Sequence, residues 1–321
     1  MREGYTVAVV GAGLVGERLV AELRRMEFPL RELRVLARSS RRAVLAGETL
    51  EVGVAEPEAF EGVDYALFAG TEGEKGAASQ LAREAIGRGA VVIDNGSDFR
   101  LDPQVPLVVP EVNAEAIEHH SGIIANPNCS TIQLVVTLAP LVREFGIKRV
   151  VVSTYQAVSG AGRGGVEALE NGREEAFPKP IVGNAIPLIG GVGEDGYTTE
   201  ERKMREESRK ILSLPDLPVF ATAVRIPVHT GHAESVYIET EREAGLREVL
   251  EVLGEAPGVA FSGDPADFPT PLEAAGGRWV HVGRLRVEGG AIGYWCVADN
   301  LLKGAATNAV QIAMALAGAR V

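Results

Sequence analysis

One cysteine stands where a reactive thiol would be expected. Cys129 follows the apolar segment 122–125 and the turn 126–128, and it precedes a helical pattern that starts at Ser130. A thiol at a helix N-terminus meets the positive end of the helix dipole and unpaired N–H groups, so its pKa should fall and the thiolate should become available. We therefore interpret Cys129 as a nucleophile, with a packed, unreactive cysteine as the alternative.

The other cysteine has a different context. Cys296 lies in the apolar segment 293–298, where a thiol is typically a small and inert core residue. The two cysteines could pair, but a chain of 321 residues builds a large core without a disulfide, and a reducing compartment keeps thiols reduced. The sequence therefore predicts one reactive and one structural thiol.

A glycine pattern near the start predicts a dinucleotide site. An apolar strand at 6–10 leads directly into a G-x-G-x-x-G motif, and a helical pattern follows it. The first glycine would make a tight turn, the second would let backbone N–H groups approach a pyrophosphate, and the third would allow close helix packing. A purely structural turn is the alternative. The predicted cofactor residues here are Gly11, Gly13, Leu14, Val15 and Gly16.

The end of the second strand favours NADP over NAD. An NAD enzyme usually carries an acid there, which hydrogen-bonds the ribose hydroxyls. In this chain the strand 33–37 is followed by Arg38, Ser39, Ser40, Arg41 and Arg42. Such a segment suits a 2′-phosphate, and Arg38 and Ser39 are the predicted ligands. A solvated basic turn is the alternative.

The elements that must position these residues form two regions. Strand-helix units from Thr6 to Asn128 predict a Rossmann-like, doubly wound and mostly parallel sheet, with strands near 6–10, 33–37, 65–69, 90–94 and 122–126. Beyond Cys129 the patterns predict a second α+β domain with a mixed or antiparallel sheet. The predicted strands are β-branched runs at 148–158 and 220–240 and a pair at 277–298 that turns at 288–290. The predicted helices lie near 163–176 and 198–212, with a loop at 178–197 between them.

The last helical pattern, 303–317, is expected to pack back onto the first region. The predicted domains are therefore an NADP-binding domain at 1–128 with 303–321, and a catalytic and dimerisation domain at 129–302.

Charge and hydropathy exclude several partners. The net charge is −12, and we find no block of five or more Lys and Arg residues, so nucleic acid and anionic membrane surfaces are not expected partners. No apolar run approaches the roughly 18 residues that span a bilayer. The first residues enter a short strand rather than a signal-peptide core. We expect a cytoplasmic protein.

The segment around the nucleophile resembles a known active-site motif. Asn126-Pro127-Asn128-Cys129-Ser130-Thr131-Ile132-Gln133 is similar to the motif of aspartate-semialdehyde dehydrogenases. The resemblance extends across nearly the whole chain, through the stretches 94–100, 108–113, 156–162, 225–228, 231–234 and 298–304. It implies reduction of β-aspartyl phosphate by NADPH to aspartate semialdehyde and phosphate, in the pathway to lysine, methionine and threonine. It also implies a homodimer or a dimer of dimers, with the second domain's sheet at the interface.

The resemblance assigns the chemical roles. It implies that Cys129 attacks the acyl phosphate, that Gln156 positions the acyl intermediate and that His232 is the general acid/base. These residue types suit the reaction, because a thiolate displaces phosphate and an imidazole handles the proton as the hemithioacetal collapses. For His232, a histidine with a structural role is the alternative. No metal ligand is expected in this site.

Substrate and cofactor contacts follow from the same resemblance. Arg225 would pair with the substrate carboxylate, whose planar shape suits a guanidinium fork. Glu200 would meet the substrate amino group, although Glu200 and Lys203 also fit an i,i+3 surface ion pair. The predicted phosphate ligands are Arg100, Asn128 and Lys203. The further predicted cofactor residues are Ser159, Gly160 and Asn300.

The sequence departs from the family pattern in three places, one of which is the basic turn from Arg38 to Arg42, which is shorter than usual. The first loop reads Gly11-Ala12-Gly13-Leu14 where the family often has G-A-T-G, and Thr71-Glu72-Gly73 stands where small residues are usual. Two other functions are alternatives. N-acetyl-γ-glutamyl-phosphate reductase shares the chemistry, but its motif usually reads N-P-G-C-Y, where this chain has Asn128 and Ser130. A non-catalytic nucleotide-binding relative would have lost the nucleophile, which this chain retains.

Overall fold

The computed structural model describes residues 4–70, 73–172 and 176–319, which form two compact units. Unit 1 comprises the described residues up to Pro127 and from Ala305 onward, and unit 2 is Asn128–Gly304. Every helix in these described ranges is too short or too polar to cross a membrane. Thr71 and Glu72, noted above as a departure from the family pattern, lie outside the described residues.

Unit 1 is built on a seven-stranded sheet. All neighbouring strands are parallel except one pair, β3 and β4, so the doubly wound sheet predicted from the strand-helix units is confirmed. The strands are β1 (Tyr5–Val10), β2 (Leu30–Ala37), β3 (Arg41–Leu45), β4 (Glu48–Val54), β5 (Tyr65–Phe68), β6 (Val91–Asp94) and β7 (Ile123–Ala125), in the order β3-β4-β2-β1-β5-β6-β7. The helices between them are α1 (Leu14–Arg25), α2 (Ala77–Gly87) and α3 (Pro110–Asn113), with single 3₁₀ turns at Pro57–Phe60 and Ala114–His119.

Unit 2 contains a six-stranded mixed sheet, as predicted. Its helices are α4 (Cys129–Phe145), α5 (Gly162–Asn171), α6 (Thr199–Ile211), α7 (Leu246–Gly254) and α8 (Pro271–Ala274), with a 3₁₀ turn at Val158–Ala161. Its strands are β8 (Ile147–Gln156), β9 (Val219–Arg225), β10 (His232–Thr240), β11 (Val259–Phe261), β12 (Val280–Glu288) and β13 (Ala291–Ala298), in the order β11-β12-β13-β10-β8-β9. The pairs β8–β9 and β11–β12 are parallel and the others antiparallel. A π-helical turn, Leu302–Ala306, leads into the last helix, α9 (Thr307–Leu316).

Helix α9 packs within unit 1. Val310 and Ala313 join Leu19 and Leu23 of α1 in one buried cluster with the sheet. The other face of the sheet is covered by small side chains of α2, including Ala82. Burying this apolar area on both faces favours the folded sheet by roughly 25 cal/mol per Å², and it holds the carboxyl ends of the central strands in place.

The hairpin β3–β4 was missed by sequence reasoning. The basic segment after β2 was interpreted as a turn, whereas Arg41 already begins β3, which pairs with β4 at the edge of the sheet. Most side chains of this hairpin are exposed, so the apolar alternation that reveals a half-buried strand is absent. Arg42 faces Glu51 across the hairpin and forms an ion pair with it.

Other element boundaries also needed correction. The predicted run 220–240 is two strands, β9 and β10, separated by a loop that contains Pro227 and Gly231. The helix predicted at 163–176 ends at Asn171, because Gly172 adopts a left-handed conformation with φ 67°; residues 173–175 of that prediction lie outside the described residues. Helix α6 is close to its prediction, and Thr198 caps it through a reciprocal hydrogen-bond pair with Glu201.

The two faces of the unit 2 sheet differ. Along β10, His232, Glu234 and Val236 point to the face that packs against helices, while Ser235 and Tyr237 point to the more exposed face. Helices α4, α6 and α7 cover the buried face. This alternation places three polar side chains on the face covered by α4 and α6: Gln156 at the end of β8, Arg225 at the end of β9 and His232 at the start of β10.

Candidate active site

Helix α4 begins at Cys129, the position predicted for the nucleophile. Asn128 is its N-cap: Oδ1 accepts hydrogen bonds from the N–H groups of Ser130, at 3.0 Å, and Thr131, at 3.2 Å. These N–H groups have no partner inside the helix, so the cap fixes the first turn. Gly304 lies against this turn, since a Cβ on it would be 2.9 Å from Cys129 Cβ. A side chain at 304 would therefore displace Cys129.

Helix α6 holds Asn128 at two further atoms. Its side-chain Nδ2 donates to Glu200 Oε1 at 3.0 Å, and its backbone N–H donates to Glu207 Oε2 at 2.7 Å. Glu200, Lys203 and Glu207 lie on one face of the helix at spacings of three and four residues. Sequence reasoning did not single out Glu207; its only signal was this helical spacing from Glu200.

Gln156 connects the same residues from the sheet. It ends β8 and is buried, and its Nε2 donates to Ser130 Oγ at 2.9 Å and to Glu200 Oε1 at 3.2 Å. Glu200 Oε1 therefore accepts from both Asn128 and Gln156. The structure brings Gln156, predicted to position the acyl group, to the first turn of α4, which begins at Cys129.

Arg225 is a buried cation at the end of β9. Its Nη1 donates to Ala157 O at 2.6 Å, and Phe177 lies under the guanidinium, with the ring centre 5.9 Å from Cζ. Within the described part of the chain, Nε has no hydrogen-bond acceptor. Burial lowers the pKa of Arg225, and the charges of Glu200 and Cys129 oppose this shift. A bound anion would supply the missing acceptor and stabilise the charged form.

His232 begins β10 and is fully buried. Its Nδ1 accepts a hydrogen bond from the N–H of Ala157 at 3.0 Å, so the neutral ring carries its proton on Nε2. Among the described residues, Nε2 has no partner. Burial, and then the charge of Arg225, hold the pKa of His232 well below its usual value of 6.5. The ring thus presents a neutral N–H donor.

Gly160 lies between these two side chains. A Cβ on Gly160 would be 2.8 Å from Arg225 Nη1 and 3.1 Å from His232 Nε2. Only glycine therefore leaves room for a ligand to reach both groups. Ser159 and Asn300 lie in the same unit, where Asn300 Nδ2 donates to Ser159 Oγ at 3.0 Å. The cofactor role predicted for these three residues stays a prediction.

The predicted phosphate ligands fall in both units. Arg100 belongs to unit 1, where it donates to the backbone oxygens of Asn126, at 3.0 Å, and Asn95, at 2.7 Å. Lys203 belongs to unit 2, with Nζ 4.0 Å from Glu200 Oε2. The i,i+3 ion pair is thus present, but Glu200 also accepts from two buried amides and is more than a surface partner.

A buried polar cluster lies between β10 and β13. Glu234 is two residues beyond His232 and opposite Cys296 of β13, with 3.7 Å between Sγ and Oε2. Burial raises the pKa of Glu234 well above its usual value, an effect that neighbouring Gln133 and Cys296 partly offset. Burial, reinforced by Glu234, also raises the pKa of Cys296. Cys296 therefore holds its proton, although its surroundings are less apolar than the sequence suggested.

Unit 1 contains a separate cavity of about 470 Å³. It lies beside the glycine motif, at the carboxyl ends of β1, β2 and β5, and its lining includes Gly11, Gly13, Arg38, Arg41 and Lys75. Gly11 has φ +115°, and a Cβ on Gly16 would be 1.8 Å from Gly11 O. No atom of the described residues lies within 4 Å of a Cβ on Gly13, the N-cap of α1, so this part of the chain leaves the start of the helix open on that side. Leu14 and Val15, which follow it, form the first turn. This geometry fits a pyrophosphate.

The basic segment after β2 divides between the cavity and the hairpin. Arg38 and Arg41 line the cavity, whereas Arg42 pairs with Glu51. Ser39 is exposed, and its backbone oxygen accepts from Arg41 Nη1 at 3.3 Å. Lys75 is a further cavity cation that sequence reasoning missed, because it precedes α2 in a segment without a strand or glycine motif.

Comparison with known proteins identifies related chains. Two family models match: semialdehyde dehydrogenase, NAD binding domain, at residues 6–120, and semialdehyde dehydrogenase, dimerisation domain, at residues 138–303. The aspartate-semialdehyde dehydrogenase of Bacillus subtilis is 46% identical over 98% of both chains, and that of Aquifex aeolicus is 48% identical over 97% of both. The crystal structure of aspartate semialdehyde dehydrogenase II from Vibrio cholerae, complexed with ASA, matches with a TM-score of 0.93 and 42% identity over 98% of both chains.

Proposed function

The chain belongs to the aspartate-semialdehyde dehydrogenase family of oxidoreductases, and on this premise we propose that it converts L-aspartyl 4-phosphate to L-aspartate 4-semialdehyde through a thioester on Cys129. Its first domain is of the nicotinamide-cofactor-binding type. The observation that carries the mechanism is the arrangement in unit 2: a partly exposed thiol begins α4, the first turn of α4 binds the buried Gln156, and the buried Arg225 and His232 flank Gly160.

Acylation is the first proposed step. The thiolate of Cys129 attacks the acyl carbon, a C–S bond forms, and the C–O bond to phosphate breaks. The N–H groups at the start of α4 favour negative charge on the sulfur. Phosphate leaves as an anion, and the donors of unit 2 proposed to bind it are Asn128 and Lys203.

Reduction is the second step. A reduced nicotinamide cofactor, which the glycine motif and the lining of the unit 1 cavity would hold, would supply the hydride for the thioester carbon. His232 Nε2 donates a hydrogen bond to the carbonyl oxygen as negative charge develops there, and a neutral, desolvated donor is suited to this task. Collapse of the hemithioacetal breaks the C–S bond, returns the thiolate of Cys129 and releases the aldehyde.

Recognition of the substrate is proposed to depend on opposite charges held in fixed positions. The guanidinium of Arg225 offers Nε to the α-carboxylate, in a buried setting where an anion is needed to balance its charge. Glu200, held by Asn128 and Gln156, offers its carboxyl group to the α-amino group. The two contacts together would distinguish an amino acid derivative from a simple aldehyde.

For the cofactor, we propose NADP rather than NAD. Arg38 and Arg41 line the unit 1 cavity at the end of β2, where an NAD enzyme would present a carboxylate. Arginine pairs with phosphate through two parallel hydrogen bonds, so these side chains suit a 2′-phosphate. The predicted cytoplasmic location and the small-molecule substrate are part of the same proposal.

We also propose that the more exposed face of the unit 2 sheet forms a homodimer interface. Phe220 and Tyr237 are 59% and 43% exposed there, and the rings of Tyr155 and Trp295 lie with their centres 5.2 Å apart and their planes tilted by 50°. Exposed aromatic side chains on a sheet of the dimerisation-domain family favour a second copy as the partner. Tyr237→Asp should shift the sedimenting species to monomer, and an unchanged dimer would reject this face.

A direct assay tests the proposed function. Aspartate semialdehyde, phosphate and NADP⁺ are mixed with the protein, and NADPH is followed by its absorbance. N-acetylglutamate semialdehyde replaces the substrate in a parallel reaction. The proposal requires phosphate-dependent NADPH formation with aspartate semialdehyde. Activity only with the acetylated substrate, or with neither, would contradict it.

A further inference from the structure

Glu207 makes a buried hydrogen bond to the residue that precedes the nucleophile. Its Oε2 accepts from the backbone N–H of Asn128 at 2.7 Å, and the two residues are only 1% and 6% exposed. A buried N–H that loses its acceptor is strongly unfavourable, because water cannot replace the lost partner. The bond therefore fixes the orientation of the Pro127–Asn128 peptide, one residue before Cys129.

The same helix holds Asn128 through a second bond. Glu200, two turns earlier on α6, accepts from the Asn128 side chain, so one helix binds both the backbone and the side chain of one residue. Asn128 Oδ1 in turn caps α4 through Ser130 and Thr131. Any movement of the Asn128 backbone would therefore alter the cap and the thiol together.

We infer that Glu207 is a positioning residue, which ties the turn before Cys129 to α6 so that the thiol and the carboxyl group of Glu200 keep a fixed separation. The inference rests on the function proposed above, in which Cys129 attacks a substrate held by Glu200. A displacement of about 1 Å at a reacting atom can cost roughly a hundredfold in rate. Glu207 would thus act on kcat without touching the substrate.

Two uncharged replacements separate the hydrogen bond from the charge. Glu207→Gln retains an acceptor oxygen at the same reach, whereas Glu207→Ala removes it, and both lack the carboxylate. Glu206→Gln is the matched control, because Glu206 is the next residue on the helix and pairs instead with Arg205 and Arg209. Each variant is tested for kcat, for KM and for the rate at which iodoacetamide alkylates Cys129.

The expected result is a kcat at least about tenfold lower for Glu207→Ala than for Glu207→Gln, with KM for aspartate semialdehyde within roughly threefold. Alkylation of Cys129 should also be slower in the alanine variant than in the glutamine variant. Glu207→Gln should retain most of the wild-type kcat, and Glu206→Gln all of it. If Glu207 contributed to stability alone, Glu207→Ala would have a lower melting temperature, but its kcat and its alkylation rate would equal those of Glu207→Gln.

Equal kcat and equal alkylation rates in the alanine and glutamine variants would overturn the inference, as would a change confined to KM. If circular dichroism shows that Glu207→Ala does not fold, Glu207→Asn takes its place, because its amide is one methylene shorter. Alkylation needs no turnover. A wild-type protein inactive on aspartate semialdehyde would therefore reject the proposed function, while the alkylation comparison would still decide the role of Glu207.

Discussion

The Nδ1 atom of His232 accepts a 3.0 Å hydrogen bond from the backbone N–H of Ala157. Because a backbone N–H can only donate, this contact assigns the proton of the neutral ring to Nε2. A second proton on Nδ1 would oppose the N–H of Ala157, and burial and Arg225 already lower the pKa of the ring. The contact therefore keeps His232 as a neutral donor in the site.

The first prediction concerns His232. Replacing it by Gln should lower kcat by roughly 10²–10⁴, the usual contribution of a positioned acid or base, with little change in KM. Below pH 6.5 the unfolded chain takes up a proton that the folded, buried ring does not. The contribution of His232 to the free energy of unfolding is therefore fully present above pH 6.5, and it is lost as the pH falls below that value.

Calorimetric melting between pH 5 and pH 8 checks the predicted loss of stability below pH 6.5. The His232→Gln protein should lose less stability toward pH 5 than the wild type. His229→Gln is the control, because His229 is an exposed histidine three residues away. Parallel pH profiles for the wild type and His232→Gln would contradict the assignment.

The second prediction concerns Arg225. Arg225→Lys keeps a positive charge but loses the planar fork, so kcat/KM for aspartate semialdehyde should fall by at least about tenfold, or roughly 1.4 kcal/mol. Steady-state kinetics measure this. Arg242→Lys, at an exposed arginine paired with Glu144 and Glu248, should have no effect. An Arg225→Lys enzyme with unchanged kcat/KM would remove Arg225 from the site.

The third prediction concerns the cofactor. The wild type should use NADP⁺ at least about tenfold better than NAD⁺, since a hydrogen bond to a charged group contributes roughly 1.5–3 kcal/mol. Arg38→Ala should reduce this ratio by a similar factor, mainly through KM for NADP⁺. Arg42→Ala is the matched control, because Arg42 pairs with Glu51 outside the cavity lining. Equal use of both cofactors by the wild type would reject the assignment.

The fourth prediction concerns Glu234, whose raised pKa has burial as its main cause. Above pH 4.5 the unfolded chain releases a proton that the folded chain retains, so stability from this group is lost as the pH rises toward the folded pKa. In the Glu234→Gln variant this position cannot titrate, so its contribution to stability does not change with pH. Its stability relative to wild type should rise with pH, with a slope of up to about 1.4 kcal/mol per pH unit. Denaturant titrations from pH 5 to pH 8 measure the difference in the free energy of unfolding between the variant and the wild type. A difference that does not change with pH would contradict this prediction.

Most of the candidate site residues could be predicted from short motifs in the sequence. The glycine motif and the turn before Cys129 act through neighbouring residues, so their chemistry can be interpreted without knowing the fold. Long strands such as β8 were also predictable, because their buried faces impose an alternating pattern.

Contacts between distant residues could not be predicted in this way. Glu207 meets Asn128 across 79 positions, and Glu234 meets Cys296 across 62. Both contacts depend on how α6 packs and how β10 and β13 are paired, which no local pattern specifies. The hairpin β3–β4 was missed for another reason, since an exposed edge needs no apolar face.

The fifth and central prediction is that Cys129 carries the acyl group. Aspartate semialdehyde and NADP⁺ are added to the protein without phosphate, the reaction is stopped with acid, and peptides are mapped by mass spectrometry. The account predicts an aspartyl thioester on the peptide that contains Cys129, no such adduct on Cys296, and no adduct in Cys129→Ser, whose turnover should fall by several orders of magnitude. An adduct on Cys296, or near-normal turnover by Cys129→Ser, would contradict it.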